Sequence, residues 1–205
     1  MAKLIFATNN PGKLLEVSKL GNAFGIEVIS PKQLGLSSDV EEDGNSYQEN
    51  SKIKMASILE QITDPDIWVA GDDSGVSIDA LNGEPNIHTR RWLGYEMTDQ
   101  EIIDYALLRL KDVPYEKRTA HFISTVALGK KNVPVQWFEG RIDGLILDHA
   151  DVNTPPHEGF PFRSLFYIPE KSKMLGDVEE TDKEFITHRQ KAFTKVFEYI
   201  NKSLS

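Results

Sequence analysis

Residues 68–75 read WVAGDDSG, in which an apolar segment leads directly into two neighbouring carboxylates and a glycine. The apolar residues from Ile67 to Ala70 predict a buried strand. Adjacent aspartates repel each other unless positive charge lies near them. We therefore expect positive charge beside Asp72 and Asp73, at the end of the strand, and a sharp turn at Gly75.

Strand and helix patterns alternate on both sides of this stretch. Before it, the apolar run from Lys3 to Ala7 is followed by a turn cluster and then by apolar residues at helical spacing. After it, residues 122–128 and 135–138 have strand character and flank a turn, which predicts an antiparallel hairpin. The alternation followed by a hairpin predicts an α/β protein with a mixed sheet.

The composition bounds the size and the partners of the protein. The 205-residue chain is 40% apolar, so residues 1–205 should form one domain, built as a single body or as two closely joined lobes. A net charge of −9 argues against sequence-independent binding to nucleic acid or anionic membranes, but a small phosphorylated ligand stays open. The chain has no cysteine, no apolar run of membrane-spanning length and no secretory signal pattern, so we expect a cytoplasmic protein.

The segment ATNNPGK, residues 7–13, places a Gly-Lys pair between a strand and a helix. It is not a Walker phosphate loop, because Ala7 replaces the first glycine and Leu14 replaces the Ser or Thr that would hold magnesium. The start of a helix nevertheless suits a phosphate, and Lys13 would add a positive charge. A simple capped turn is the alternative interpretation.

Two further charged clusters could complete a site. Carboxylates such as Asp72 and Asp73 can bind Mg²⁺ or accept a proton from water, although they could also only cap a turn. The acidic run at residues 41–43 could join a metal site or lie in solvent. Residues 182–192, DKEFITHRQKA, concentrate basic side chains that suit phosphates or decorate a helix surface.

In sequence, the chain resembles the inosine triphosphate pyrophosphatase family, also called Ham1-like, over nearly its whole length. The segments that carry the resemblance occur in the family's order and at about its spacing: ATNNPGK (7–13), EEDGNSYQENSKIKMA (41–56), DDSGVSIDALNGEPNIHTRR (72–91), EGRIDGLI (139–146), GFPFRSLFYIP (159–169) and THRQKA (187–192).

The resemblance implies a two-lobed α/β fold with a long mixed sheet flanked by helices, a cleft between the lobes, and a homodimer. It implies Mg²⁺-dependent hydrolysis of nucleoside triphosphates to monophosphate and pyrophosphate. By matching position, Asp73 and Lys13 would be catalytic, and Glu41 and Asp73 would bind the metal. The other substrate-binding residues that it implies are Thr8, Asn9, Asn10, Ser74, Lys183, His188 and Arg189.

The sequence departs from the family at the loop that reads the base. Gly-Phe-Gly-Tyr/Trp-Asp-Pro of the family is replaced by residues 159–164, GFPFRS, so Arg163 stands where the base-side aspartate is expected. Guanidinium only donates hydrogen bonds, so Arg163 facing the base would favour a 6-keto purine over adenine. Alternatively Arg163 turns outward or binds phosphate, because Pro161 reshapes the loop. Phe160 and Phe162 could stack on a base or pack the loop. A nucleotide-binding protein with little turnover is the alternative function.

Overall fold

The computed structural model describes residues 2–154, 160–182 and 184–204. The helices are α1 (Pro11–Ala23), α2 (Tyr47–Leu59), α3 (Asp99–Leu110), α4 (Leu175–Thr181) and α5 (His188–Leu204). The strands are β1 (Ala2–Phe6), β2 (Ile26–Ile29), β3 (Trp68–Ile78), β4 (Pro85–Asn86), β5 (Thr119–Lys130), β6 (Val133–Ile146), β7 (Phe166–Ile168) and β8 (Lys173–Met174).

The strands form one mixed sheet, as the sequence predicts. Its order is β2-β1-β3-β5-β6-β7-β8, and β4 pairs with β3. β1 runs parallel to β2 and β3, whereas β7 runs antiparallel to β6 and β8. Only two residues, Lys131 and Asn132, join the neighbouring strands β5 and β6, so the predicted hairpin is confirmed.

The chain forms two compact units, each assembled from separate segments. Unit 1 comprises Met1–Ser74, Ser124–Arg141 and His188–Ser205, and unit 2 comprises Gly75–Ile123 and Ile142–Thr187. The strands β3, β5 and β6 contribute residues to both units.

Unit 1 has three layers because its strands are apolar on both faces. One sheet face, with Leu4 and Phe6 from β1, packs with apolar residues of α1 and α5 such as Val17 and Phe193. The alternate β1 residue, Ile5, packs on the other face with residues of α2 such as Met55. This alternation follows from the two-residue period of a strand.

Unit 2 has its own apolar core. It is built around α3, the second half of β3 and the first residues of β7. Its fully or nearly fully buried members include Val76, Ile78, Ile102, Ala106, Phe162 and Phe166.

The GDDSG segment does not end its strand. We predicted a turn at Gly75, and this prediction is wrong, because β3 continues from Trp68 to Ile78. The close approach is at Gly71 instead, where a Cβ atom would lie 2.1 Å from the carbonyl oxygen of Ser51 in α2. Glycine at position 71 therefore lets α2 pack against the strand that carries both aspartates.

Candidate active site

The two neighbouring aspartates serve two different networks within unit 1. Because β3 is continuous through them, Asp72 and Asp73 point to opposite faces of the sheet. Asp72 lies on the face covered by α1 and α5, and Asp73 lies on the face covered by α2. Each aspartate therefore has its own basic side chains.

Asp72 is the buried centre of the first network. Its side chain is fully buried, and its Oδ2 atom accepts hydrogen bonds from Lys13 Nζ at 3.0 Å and Arg189 Nε at 3.1 Å. Ser124 Oγ donates to Oδ1 at 2.6 Å, and Glu16 pairs with Arg189 at 2.8 Å. Burial alone would raise the pKa of Asp72, but the charges of Lys13 and Arg189 and the Ser124 hydrogen bond hold it well below its usual range.

Ser74, two residues further along β3, lies on the same face. Its Oγ atom accepts hydrogen bonds from Lys13 Nζ and Arg189 Nη2, each at 3.1 Å. A hydroxyl has two acceptor positions and one hydrogen. Since two cations use the acceptor positions, the Ser74 hydroxyl hydrogen points elsewhere and can be donated to an anionic ligand.

Asp73 is held by side chains of α2. Lys54 Nζ donates to its Oδ1 at 3.0 Å, and Asn50 Nδ2 donates to its Oδ2 at 3.2 Å. Lys54 Nζ also contacts Glu42 at 2.6 Å. Burial raises the pKa of Asp73, an effect that the charge of Lys54 opposes only in part. A carboxylate with a raised pKa beside basic groups can accept a proton from water.

The loop between β1 and α1 forms a capped turn, as in the alternative interpretation of residues 7–13. Asn10 Oδ1 accepts a hydrogen bond from Lys13 N at 3.1 Å, and Thr8 Oγ1 accepts one from Asn10 N at 3.1 Å. Asn9 Oδ1 accepts a hydrogen bond from Ser38 Oγ. The cap begins α1 so that the Lys13 side chain reaches Asp72, which places a cation beside the acidic strand.

Of the other predicted site residues, His188 is buried and Glu41 is exposed. His188 is buried at the start of α5, where burial and the charge of Arg189 lower its pKa well below its usual value. Glu41 is exposed, and the neighbouring Glu42 is the acidic residue that contacts Lys54. Lys183 lies outside the described residues.

The predicted base-side residues all lie in unit 2. Phe162 is only 2% exposed and packs in the core of that unit, whereas Phe160 is partly exposed. Arg163 Nε donates to Glu179 at 3.1 Å, and its Nη2 donates to the carbonyl oxygen of Gly176 at 3.3 Å. With its side chain 14% exposed, Arg163 is thus paired within unit 2 to an acidic side chain.

The described residues form neither a cluster of metal-binding side chains nor a membrane-spanning helix. Among residues 2–154, 160–182 and 184–204, no group of three or more His, Asp or Glu side chains is arranged to hold a metal ion. The same part of the chain includes no helix with the length and apolar character needed to cross a membrane.

Sequence reasoning missed four members of these networks. Two of them, Asn50 and Lys54, are one helical turn apart and face Asp73 together. Their i, i+4 spacing, after the acidic run at residues 41–43, is the sequence pattern that could have identified them as partners of one group. Glu16 and Ser124 had no such signal, because they reach the site only through tertiary contacts with α5 and β3.

The chain is similar in sequence to a known family and to named proteins. The Ham1 family model matches residues 4–199. A protein of Caldanaerobacter subterraneus named dITP/XTP pyrophosphatase is 35% identical over 206 residues, covering 100% of this chain and 98% of that protein. A protein of the same name from Thermoanaerobacter pseudethanolicus is 34% identical and covers 98% of both chains.

Solved structures show the same fold. The Ham1 protein of Staphylococcus aureus superposes with a TM-score of 0.82 at 26% identity, covering 98% of this chain and 99% of that chain. A HAM1 protein from Coxiella burnetii gives a TM-score of 0.83 at 26% identity, covering 98% and 100%.

Proposed function

The chain belongs to the Ham1 family, and from this we propose that it hydrolyses nucleoside triphosphates to nucleoside monophosphate and pyrophosphate with the help of Mg²⁺. The observation that carries the proposal is that β3 carries two neighbouring carboxylates, of which Asp72 holds the cations Lys13 and Arg189 and Asp73 is a buried carboxylate of raised pKa held by Lys54 and Asn50. The names of the relatives support 6-keto purines as the preferred bases. A homodimer and a cytoplasmic location stay predictions.

Phosphate oxygens would be bound by the cluster around Asp72. Lys13 and Arg189 supply positive charge, and Ser74 supplies a hydroxyl hydrogen that neither cation uses. The carboxylates of Asp72 and Glu16 pair with these cations, so a triphosphate would compete with both carboxylates for Lys13 and Arg189.

The residues around Asp73 fit a magnesium ion. Lys54 Nζ lies between the carboxylates of Glu42 and Asp73, so two negative charges already converge on one positive charge. Mg²⁺ in nucleotide enzymes is commonly held by one or two carboxylates together with substrate phosphates. Asp73 with Glu41 or Glu42 would hold the ion, which would supply charge neutralisation at the phosphates.

The hydrolytic step needs a base for water, and Asp73 is suited to that role. Its carboxylate takes one proton from the water, whose oxygen forms a bond to the α-phosphorus. The bond between the α-phosphorus and the oxygen that bridges to the β-phosphorus breaks, and pyrophosphate leaves with that oxygen. Lys13 and Arg189 stabilise the negative charge that develops on the phosphates.

The product distinguishes this reaction from other triphosphate hydrolysis. We expect inosine triphosphate to yield pyrophosphate and monophosphate in equal amounts, as measured by phosphorus NMR on quenched samples. Chelation of divalent ions should abolish the reaction, and added Mg²⁺ should restore it. Early release of orthophosphate without a contaminating pyrophosphatase would contradict the proposal, and binding without turnover would favour the nucleotide-binding alternative.

Arg163 provides a test of base selection. Because Glu179 offers it a charge-assisted hydrogen bond, a neutral base edge would have to displace a stronger acceptor. We therefore expect Arg163→Ala to leave the ratio of kcat/KM for inosine and adenosine triphosphates within about twofold. The matched variant Glu179→Gln should also leave this ratio of kcat/KM within about twofold. A fall of the ratio by about five- to 150-fold in Arg163→Ala would show instead that Arg163 reads the base.

A further inference from the structure

Asn50 of α2 lies directly against the carboxylate that the proposed function uses as a base. We propose that Asn50 is a positioning residue, which fixes the orientation of the Asp73 carboxylate and is itself oriented by the backbone N–H of Gly44. The inference rests on the proposed function, because it assigns a role relative to Asp73 in that reaction. Neither Asn50 nor Gly44 needs to touch the substrate.

The contact between Asn50 and Asp73 is buried. Asn50 is 5% exposed and Asp73 is 8% exposed, and their side chains meet through the 3.2 Å bond from Nδ2 to Oδ2. A hydrogen bond to a carboxylate is stronger than one between neutral groups, and burial protects it from competition with water. Asn50 therefore restrains one oxygen of Asp73 while Lys54 restrains the other.

The orientation of the Asn50 amide is also defined. Gly44 N donates to Asn50 Oδ1 at 2.9 Å, and a backbone N–H can only donate. The oxygen of the amide must therefore face Gly44, and the NH₂ group must face Asp73. The reverse orientation would set the amide oxygen against a carboxylate oxygen and the NH₂ group against another donor.

Gly44 is suited to this contact by its lack of a side chain. A Cβ atom at position 44 would lie 2.6 Å from Asn50 Oδ1 and 2.7 Å from Glu49 Cβ. An alanine there would push the amide away from its position, although residue 44 carries no functional group of its own. Substitution of Gly44 therefore perturbs the positioning of Asp73 without removing Asn50.

Fixing both oxygens matters because the terminal torsion of an aspartate is broad and roughly two-fold. Each carboxylate oxygen has two acceptor positions. With one position on Oδ1 used by Lys54 and one on Oδ2 used by Asn50, the other two are held in defined directions. Without Asn50 the carboxylate can rotate, and fewer molecules hold the attacking water in the reactive geometry.

The test compares three variants with the wild-type protein under saturating Mg²⁺ and inosine triphosphate. Asn50→Ala and Gly44→Ala should each lower kcat by about 10- to 100-fold, the range expected when a partner of an active-site ligand is lost. KM should stay within about threefold, because the phosphate-binding cluster around Asp72 is not altered. The control Ser51→Ala removes a buried hydroxyl from the same helix that donates to Gln48 O, and it should retain wild-type kcat.

The measurements separate a positioning role from a purely structural one. Thermal unfolding and circular dichroism would establish that each variant is folded, and if Asn50→Ala does not fold, Gly44→Ala decides. Wild-type kcat in a folded Asn50→Ala or in Gly44→Ala would overturn the inference, as would a loss that appears only in KM. A wild-type protein that releases no pyrophosphate would instead refute the proposed function itself.

Discussion

Asp73→Asn is expected to lower kcat for triphosphate hydrolysis by at least about a hundredfold, equivalent to roughly 2.7 kcal/mol of activation free energy. An amide cannot take the proton that the Asp73 carboxylate would remove from water. The fold should survive, because burial raises the pKa of Asp73 and so disfavours its charged form in the native state. A neutral side chain of the same shape relieves that cost, its one oxygen can accept from Asn50 or Lys54, and Glu42 still pairs with Lys54.

Pyrophosphate release at saturating substrate, with thermal unfolding measured in parallel, would check this expectation. Asp66→Asn is a matched control, since Asp66 is an exposed aspartate that pairs with Lys130 at 3.0 Å and lies outside both networks of the site. The control should retain wild-type kcat. Near-normal turnover by a folded Asp73→Asn protein would remove Asp73 from the role of base and leave Lys54 and Glu42 without a catalytic partner.

Local patterns in the sequence were sufficient for most of the fold. The apolar run that forms β1, the helical spacing of α1 and the two strand-like segments around Lys131 each encode their element through nearest neighbours in the chain. The course of β3 was not encoded in this way. Two aspartates and a glycine resemble the end of a strand, but the positive charges that permit them inside a strand come from α1, α2 and α5.

The candidate site shows the same division. The resemblance to a known family identified Lys13, Asp73, Ser74 and Arg189 as functional residues, and the structure brings Lys13, Ser74 and Arg189 together around Asp72. The family resemblance could not reveal that the side chains of Asp72 and Asp73 lie on different faces of the sheet. That distinction depends on the strand continuing past Asp73. Because the sequence wrongly predicts a turn at Gly75, it does not predict that the two aspartates belong to different networks.

Removal of the Asp72 charge is expected to have the largest effect on stability. Asp72→Asn should lower the free energy of unfolding by about 3 to 5 kcal/mol, the usual cost of removing one partner from a buried ion pair. Arg189 would keep its positive charge while it and Lys13 lose the carboxylate between them, and Glu16 pairs with Arg189. Unfolding by urea, monitored by fluorescence of the tryptophans, measures the change.

Two features of the Asp72 result would identify its cause. If uncompensated positive charge destabilises the variant, adding Arg189→Met to Asp72→Asn should restore part of the lost free energy, and the double variant should be more stable than the sum of the single changes implies. The pH dependence of stability gives the second feature.

Because the folded pKa of Asp72 lies well below the usual value of 3.8, the stability that its charge contributes is present above about pH 4 and is lost as the pH falls further. Wild-type stability should therefore fall more steeply than that of Asp72→Asn between about pH 4 and pH 2. Parallel slopes would mean that Asp72 acts through shape and hydrogen bonding to Ser124, and not through its charge.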